Sequence, residues 1–287
     1  MTALHEVIDS LSETDSVLEA SRVLLYLDPR RTWLVQARKD SPPFHTHAGI
    51  VQVSSLVGKR FGDSITTTLG ERIFILRPMA LDFLMKSERR TQIVYPKDFA
   101  YIVARSGLCS GSKVIECGTG SGALTTFFAS IVAPTGLVHT FEERQDFFEI
   151  AKKNVKKAGL DSFVKFENRN LLSEEDIPKE CFDLALLDTG DPWLLLSTAH
   201  ASLKGSAFVF CICPTTNQLE KVAESMKGMF CDIESVEIMM RHIEARAGKT
   251  RPSMRMIGHT CYLISARKVR VEEGIENVKS APTDEVG

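Results

Sequence analysis

Apolar and polar residues alternate in short runs over the first part of the chain, then settle into longer runs of strand and helix period from Lys113 on. V-L-L-Y-L and T-W-L-V-Q flank a turn at Asp28-Pro29-Arg30-Arg31, which predicts a β-hairpin between Ser21 and Ala37. G-I-V-Q-V after Gly49 and D-S-I-T-T-T-L-G-E-R-I-F-I-L up to Leu76 add further short strands, with Gly58, Gly62 and Gly70 at the turns. Strands this short and this frequent predict a small barrel or curled sheet. Pro78 to Lys86 has the spacing of a short amphipathic helix.

Beyond it the pattern predicts strand Lys113–Cys117 with helix Ala123–Val132, strand Gly136–Phe141 with helix Phe147–Ala158, and strand Phe163–Phe166. Strand Phe182–Asp188 follows with helix Trp193–Leu203, then strand Ala207–Cys213 with helix Leu219–Phe230. Two long strands, Cys231–Arg241 and Thr260–Arg267, close the series with no helix between them. The alternation predicts an α/β fold, a doubly wound Rossmann-like parallel sheet that binds ligands at the carboxyl ends of its strands. The last two strands predict an antiparallel pair at one edge. The expected domains are a polar lead-in over 1–20, a small β-rich domain over 21–90, a ligand-binding domain over 91–270 and an acidic tail over 271–287.

Composition narrows the functional classes. The chain has 287 residues, 44% hydrophobic and 25% charged, as expected for a soluble globular protein of one large or two ordinary domains. No run approaches the ~20 apolar residues of a membrane span. T-A-L-H-E-V-I-D-S is too acidic for a signal peptide, so no membrane partner is expected. Seven scattered cysteines without a C-x-x-C pair indicate neither a zinc site nor a disulfide framework, and fit a reducing cytoplasm. His45 and His47 form H-T-H beside Pro42-Pro43 with no third ligand nearby, so they are read as loop residues and no metal is expected.

The net charge of −2 conceals an asymmetry. Between Arg241 and Arg270 the basic residues, including Arg246, Lys249, Arg251 and Arg255, face Glu244 as the lone acid, while the tail from Val271 to Gly287 is acidic. Such a segment either binds a polyanion or forms a solvated surface that the tail neutralises.

The candidate chemistry centres on K-V-I-E-C-G-T-G-S-G-A-L-T-T, Lys113 to Thr126. Gly118, Gly120 and Gly122 make a turn between strand and helix, where backbone N–H groups approach a ligand beside the positive end of the helix dipole. Gly118, Gly120 and Ala123 also fit the dinucleotide pattern G-x-G-x-x-G/A, so the turn by itself leaves the cofactor open. Glu116 favours S-adenosylmethionine, whose methyltransferases open on E-x-G-x-G-x-G: a carboxylate suits a cationic amino-acid head and repels a pyrophosphate. Glu142, at the end of the second strand, is spaced to bind ribose hydroxyls, and Asn170 is placed to meet an adenine ring. Asp188 ends the apolar run of L-L-D-T-G-D-P-W, where burying a carboxylate is costly unless it has a partner; Asp191, in the turn, is the alternative acid.

Four stretches together resemble the tRNA adenine-N1 methyltransferases that modify adenine 58 of the T-loop, the TrmI-type enzymes and their eukaryotic catalytic-subunit relatives. They are R-R-T-Q-I-V-Y-P-K-D, I-E-C-G-T-G-S-G-A-L-T, L-L-D-T-G-D-P-W and R-P-S-M-R-M-I-G-H-T-C-Y-L-I-S-A-R-K. The resemblance runs from about Ser21 to Lys268 and implies a class I methyltransferase sheet with a small N-terminal β-rich domain. By matching position it implies that Gln92, Val94 and Tyr95 border cofactor and target base. Ser121, Gly122 and Ala123 would meet the amino-acid end of S-adenosylmethionine, Glu142 the ribose, and Asn170 and Leu171 the adenine. Asp188 would face the target base as the catalytic carboxylate, with Tyr95 packing against or hydrogen-bonding that base. It also implies tRNA as partner, assembly as a homotetramer or as a hetero-oligomer with a related subunit, and a cytoplasmic or, in a eukaryote, nuclear location. Adenine 57 as a second target stays open. Two positions depart from the family: its usual L-D-L-P-x-P-W is L-D-T-G-D-P-W here, and Asn170 stands where Asp is frequent. The alternative is a non-catalytic RNA-binding subunit with a methyltransferase fold. A small-molecule methyltransferase would have no need of the basic segment, and nothing resembles a dehydrogenase's catalytic residues.

Overall fold

The computed structural model describes residues 15–86, 94–171 and 177–270, in two compact units that span Met1–Ser87 and Glu88–Gly287. Gln92, the first residues of the lead-in and the acidic tail lie outside the described residues.

In the first unit, β1 (Arg22–Asp28) and β2 (Arg31–Gln36) form the expected hairpin. Asp28 fixes its turn: one carboxylate oxygen accepts from the backbone N–H of Arg30 and of Arg31, both at 2.9 Å, as an Asx turn does. β3 (Phe44–Thr46) pairs with β4 (Gly49–Val51), and β5 (Ser64–Thr66) with β6 (Arg72–Leu76). The strand order β2-β1-β6-β5 makes one four-stranded antiparallel sheet, with β3–β4 a separate hairpin. Alternation sets its buried face, so Ile73 and Ile75 of β6 join Val23, Leu25 and Val35 in the core while Arg72 and Phe74 face out. H-T-H lies on the β3–β4 hairpin rather than in an open loop, and the His47 ring rests 5.7 Å from that of Trp33. Helix α1 (Ala80–Lys86) follows.

The second unit opens with helix α2 (Pro96–Ser106), which the strand-and-helix pattern did not predict. Its signals are local: Pro96 at the first turn, Asp98 just after it, and Gly107 in the left-handed conformation that ends it. Then come β7 (Lys113–Cys117), α3 (Ala123–Val132), β8 (Leu137–Phe141), α4 (Gln145–Ala158), β9 (Val164–Glu167) and β10 (Phe182–Leu187). A 3-10 turn at Pro192–Leu195 leads into α5 (Leu196–Ser202), followed by β11 (Leu203–Cys213), α6 (Thr216–Met226) and β12 (Phe230–Val236). The short strands β13 (Ile243–Glu244) and β14 (Arg251–Pro252) pair with each other, and β15 (Tyr262–Lys268) ends the series.

The seven-stranded sheet runs β12-β15-β11-β10-β7-β8-β9. β7 to β11 are parallel, while β15 is antiparallel to both β11 and β12. The two last long strands therefore form an antiparallel pair at one edge, as expected, with the final one inserted between β11 and the edge strand β12. Strand β10 is buried on both faces from Leu184 to Leu187, the burial a parallel sheet covered by helices produces. No described helix is long and apolar enough to cross a membrane.

Candidate active site

The site lies where β7, β8 and β10 end. After Cys117 the chain turns through Gly118, Gly120 and Gly122, all at positive φ, before α3 begins. Gly118 permits the closest approach: a Cβ there would stand 2.0 Å from the backbone carbonyl oxygen of Asp188. The ends of β7 and β10 are thus pressed together, and the Asp188 N–H donates to the Cys117 carbonyl at 2.8 Å. On the other side, the N–H of Gly118 donates to the carbonyl of Phe141 at 2.9 Å, which ties the turn to β8.

A cavity of about 580 Å³ opens beside these strand ends, lined among others by Gly118, Glu142, Asn170, Leu171, Asp188 and Thr189. Glu142 is buried, and its carboxylate accepts from the Gly120 N–H at 2.9 Å and the Arg144 N–H at 3.0 Å. It braces the glycine turn while bordering the cavity. Asn170 donates its amide to a Glu143 carboxylate oxygen at 3.2 Å. Asp188 is part-exposed, and its carboxylate has no hydrogen-bond partner among the described residues. Burial, and after it the charge of Glu142, pushes its pKa up to about 6.

Glu116 links strand β7 to helix α3. It is fully buried and does not line the cavity; one oxygen accepts from the Thr125 hydroxyl at 2.6 Å, and the other has no hydrogen-bond partner among the described residues. Burial lifts its pKa to about 7, partly countered by that hydroxyl. The residue joins β7 to α3 through the Thr125 bond. Ser121, Gly122 and Ala123 are buried as well, and the Ser121 carbonyl is held by the Asn154 amide at 2.9 Å. Neither they nor Gly120, Val94 or Tyr95 line the cavity. Tyr95 precedes α2 as its N-cap residue.

Sequence reasoning passed over Phe141, Arg144, Arg169, Thr189, Leu194, Pro214 and Gln218, which also line the cavity. Arg169 lies 5.0 Å over the ring of Phe141 and forms an ion pair with Glu167 at 2.6 Å. Gln218 had a readable signal, T-x-x-Q from Thr215, and the two residues form a reciprocal capping box at the start of α6.

Arg246, Lys249, Arg251 and Arg255 are all exposed and lie on or beside the arm formed by β13 and β14. Arg251 pairs with Glu244 at 3.3 Å. The arm also exposes Met239, Met240, Ile243, Met254, Met256 and Ile257. Its root is fixed at the cavity: His259 contacts Glu237 at 2.6 Å and the carbonyl of the cavity residue Pro214 at 3.1 Å. Among the described residues no group of three or more His, Cys, Asp or Glu is placed to hold a metal ion.

Residues 72–251 match the family model described as the tRNA methyltransferase complex GCD14 subunit. The chain belongs to this family. It is 32% identical over 257 residues to the tRNA (adenine(57)-N(1)/adenine(58)-N(1))-methyltransferase TrmI of Methanocaldococcus jannaschii, covering 80% of this chain and 89% of that one. Among solved structures, a SAM-dependent O-methyltransferase from Thermotoga maritima superposes with a TM-score of 0.81 and 34% identity, over 91% of this chain and 97% of that one. The tRNA (m1A58) methyltransferase TrmI of Aquifex aeolicus gives 0.75 and 32%, over 89% and 100%. The expected class I methyltransferase sheet with a β-rich N-terminal part is thereby established, as is the membership that the four sequence stretches implied.

Proposed function

We propose that this protein is an S-adenosylmethionine-dependent methyltransferase that modifies N1 of adenine 58 in the T-loop of tRNA. The observation that carries the reading is Asp188: an unpartnered carboxylate, held at the end of β10 against the glycine turn, inside a family of tRNA methyltransferases. The cavity fits the cofactor. Its four acids, Glu142, Glu143, Asp188 and Asp191, suit a ligand rich in hydroxyl and ammonium groups, and Glu142 keeps lone pairs beyond the two backbone N–H groups it accepts. Glu142 would hold the ribose, Asn170 and Leu171 the adenine. Gly118 would let the ligand lie close to the backbone, while Gly120 steadies Glu142 through its N–H. Val94 would approach the ligand from the segment before α2. Bound there, S-adenosylmethionine supplies an electrophilic methyl group.

Adenine N1 carries its own lone pair, so no residue has to remove a proton before attack. Positioning is the main requirement. Asp188 would accept a hydrogen bond from the N6 amine and oppose the positive charge that grows on the ring, with Tyr95 against the base. To reach a closed site the base has to leave its stack in the folded tRNA, at a cost of a few kcal/mol. The exposed arm with Arg246, Lys249, Arg251 and Arg255 would hold phosphates. Its exposed methionines and isoleucines support an oligomer, built from copies of this chain or with a related subunit, acting where tRNA is found in the cytoplasm or nucleus.

Labelled methyl transfer to an unmodified tRNA transcript, with the modified base mapped, tests the reading. Label on N1 of adenine 58 is expected, with adenine 57 read in the same experiment. Label elsewhere overturns the site, and no transfer by the protein alone or with its related subunit overturns the activity.

A further inference from the structure

The arm leaves the sheet after β12 and returns to it at β15, and its two legs are tied to the cavity wall at His259. The last ladder pair before the arm is Val236 with Leu263. Just beyond it, Nδ1 of His259, on the returning leg, meets the Glu237 carboxylate on the outgoing leg at 2.6 Å. Nε2 of the same ring meets the carbonyl of Pro214, past the end of β11, at 3.1 Å. A carbonyl oxygen only accepts hydrogen bonds, and so does an ionised carboxylate. Both ring nitrogens therefore donate, which a neutral imidazole cannot do. The geometry calls for the imidazolium.

The groups around the ring agree. The bond to Glu237, and after it the bond to Pro214, holds the imidazole above its usual 6.5; desolvation and the Lys97 cation of α2 oppose them. Tyr262 of β15 adds its ring at 4.7 Å. The next residue in the chain is anchored separately. The Thr260 hydroxyl accepts from the buried Lys97 ammonium at 2.6 Å and donates to the buried Asp98 carboxylate at 3.1 Å. Both partners lie in the first turn of α2, directly behind Tyr95. The root of the arm thus meets the cavity wall and the segment assigned to the target base.

We infer that His259 is a positioning residue for methyl transfer: its imidazolium ties both legs of the arm to the cavity wall, so that tRNA held by the arm keeps its target base within reach of Asp188. This rests on the functional reading above. A neutral imidazole keeps one N–H and releases either Glu237 or Pro214. The hold is therefore present at low pH and is lost as pH rises through the raised value of the ring.

Steady-state methylation of a tRNA transcript by the full chain, with its related subunit if one is required, tests this between about pH 6 and 9. The wild-type KM for tRNA is expected to rise up to about fivefold over the alkaline part, the scale of one exposed ion pair, while kcat stays level there. His259→Gln carries no charge at any pH, so its KM should be raised throughout and flat, with kcat kept. Glu237→Gln keeps an acceptor oxygen without the charge. Its KM should match the wild type at low pH and begin to rise at a lower pH. NMR titration of the His259 ring in the free protein should show the same order. If His259→Gln does not fold, the wild-type and Glu237→Gln profiles decide. A wild-type KM that stays level, with methylation intact, overturns the clamp and leaves the functional reading standing. A His259→Gln enzyme whose KM follows the wild-type profile overturns it too. Tighter tRNA binding by Glu237→Gln at every pH makes His259 a phosphate contact and overturns the clamp as well. If tRNA is neither bound nor methylated, the functional reading fails and takes the clamp with it.

Discussion

Asp188 and Asp191 stand three residues apart at the rim of one cavity, in opposite environments. Asp188 is desolvated and raised to about 6, whereas Asp191 is exposed in the turn. For an acid with a raised pKa the neutral form is favoured at low pH, so the carboxylate that opposes a cationic product is present only above that value. The single-turnover rate is therefore expected to rise as pH passes about 6 and then level off. Asp188→Asn keeps an acceptor oxygen but loses the charge. It should be slower by ~10²–10³ with a flat profile across that range, the scale of one lost electrostatic contact. Asp191→Asn should cost much less and keep the wild-type profile. The reverse outcome would place the catalytic carboxylate in the T-G-D turn.

The ends of β7 and β10 meet at Gly118, and this contact has its own test. Gly118→Ala would drive a methyl into the Asp188 carbonyl from a backbone at φ +92°, with strain and overlap each costing about 1–3 kcal/mol. Gly190→Ala meets nothing within 4 Å and should stay within about 0.5 kcal/mol of wild type in denaturant unfolding. The β13–β14 arm makes a second prediction. Replacing Arg251 and Arg255 with Ala should weaken tRNA binding and flatten its salt dependence, measured by titration at several salt concentrations. Salt-independent binding would make the arm a solvated surface. These elements also show what the sequence can carry. The order of strands and helices from Lys113 on was legible because buried strands and amphipathic helices leave different periods. The glycine turn, Glu142 and Asp188 were legible because each sits beside a strand end. Helix α2 was missed because its start and stop are written in Pro96 and Gly107, single residues rather than a period. Glu116 was read from spacing alone, and a motif does not record the direction of a side chain. Gly190 and Gln218 come together only when β10 and α6 pack, a long-range contact that no local pattern encodes.

At the scale of the whole molecule, a ligand that binds only the folded cavity should stabilise the protein. S-adenosylmethionine at about a hundred times its Kd is expected to add ~2.7 kcal/mol and raise the melting temperature, while NAD leaves it unmoved. A rise with NAD alone would contradict the cofactor. Gly120→Val should remove the S-adenosylmethionine shift, because Gly120 sits at φ +55°, bonded to the cavity acid Glu142. The position of β15 bears on how the chain is made. Synthesis delivers β11, then β12, then the arm, and only afterwards the strand that belongs between the first two. Until then β11, buried from Phe208 to Cys213 in the finished sheet, has a bare edge, and β12 has no neighbour to pair with. The nascent chain thus passes through an interval in which a strand of the core is open to pairing with other chains. Completion is a single late event: seating residues 262–268 closes that edge, captures β12 and brings the two ends of the arm together.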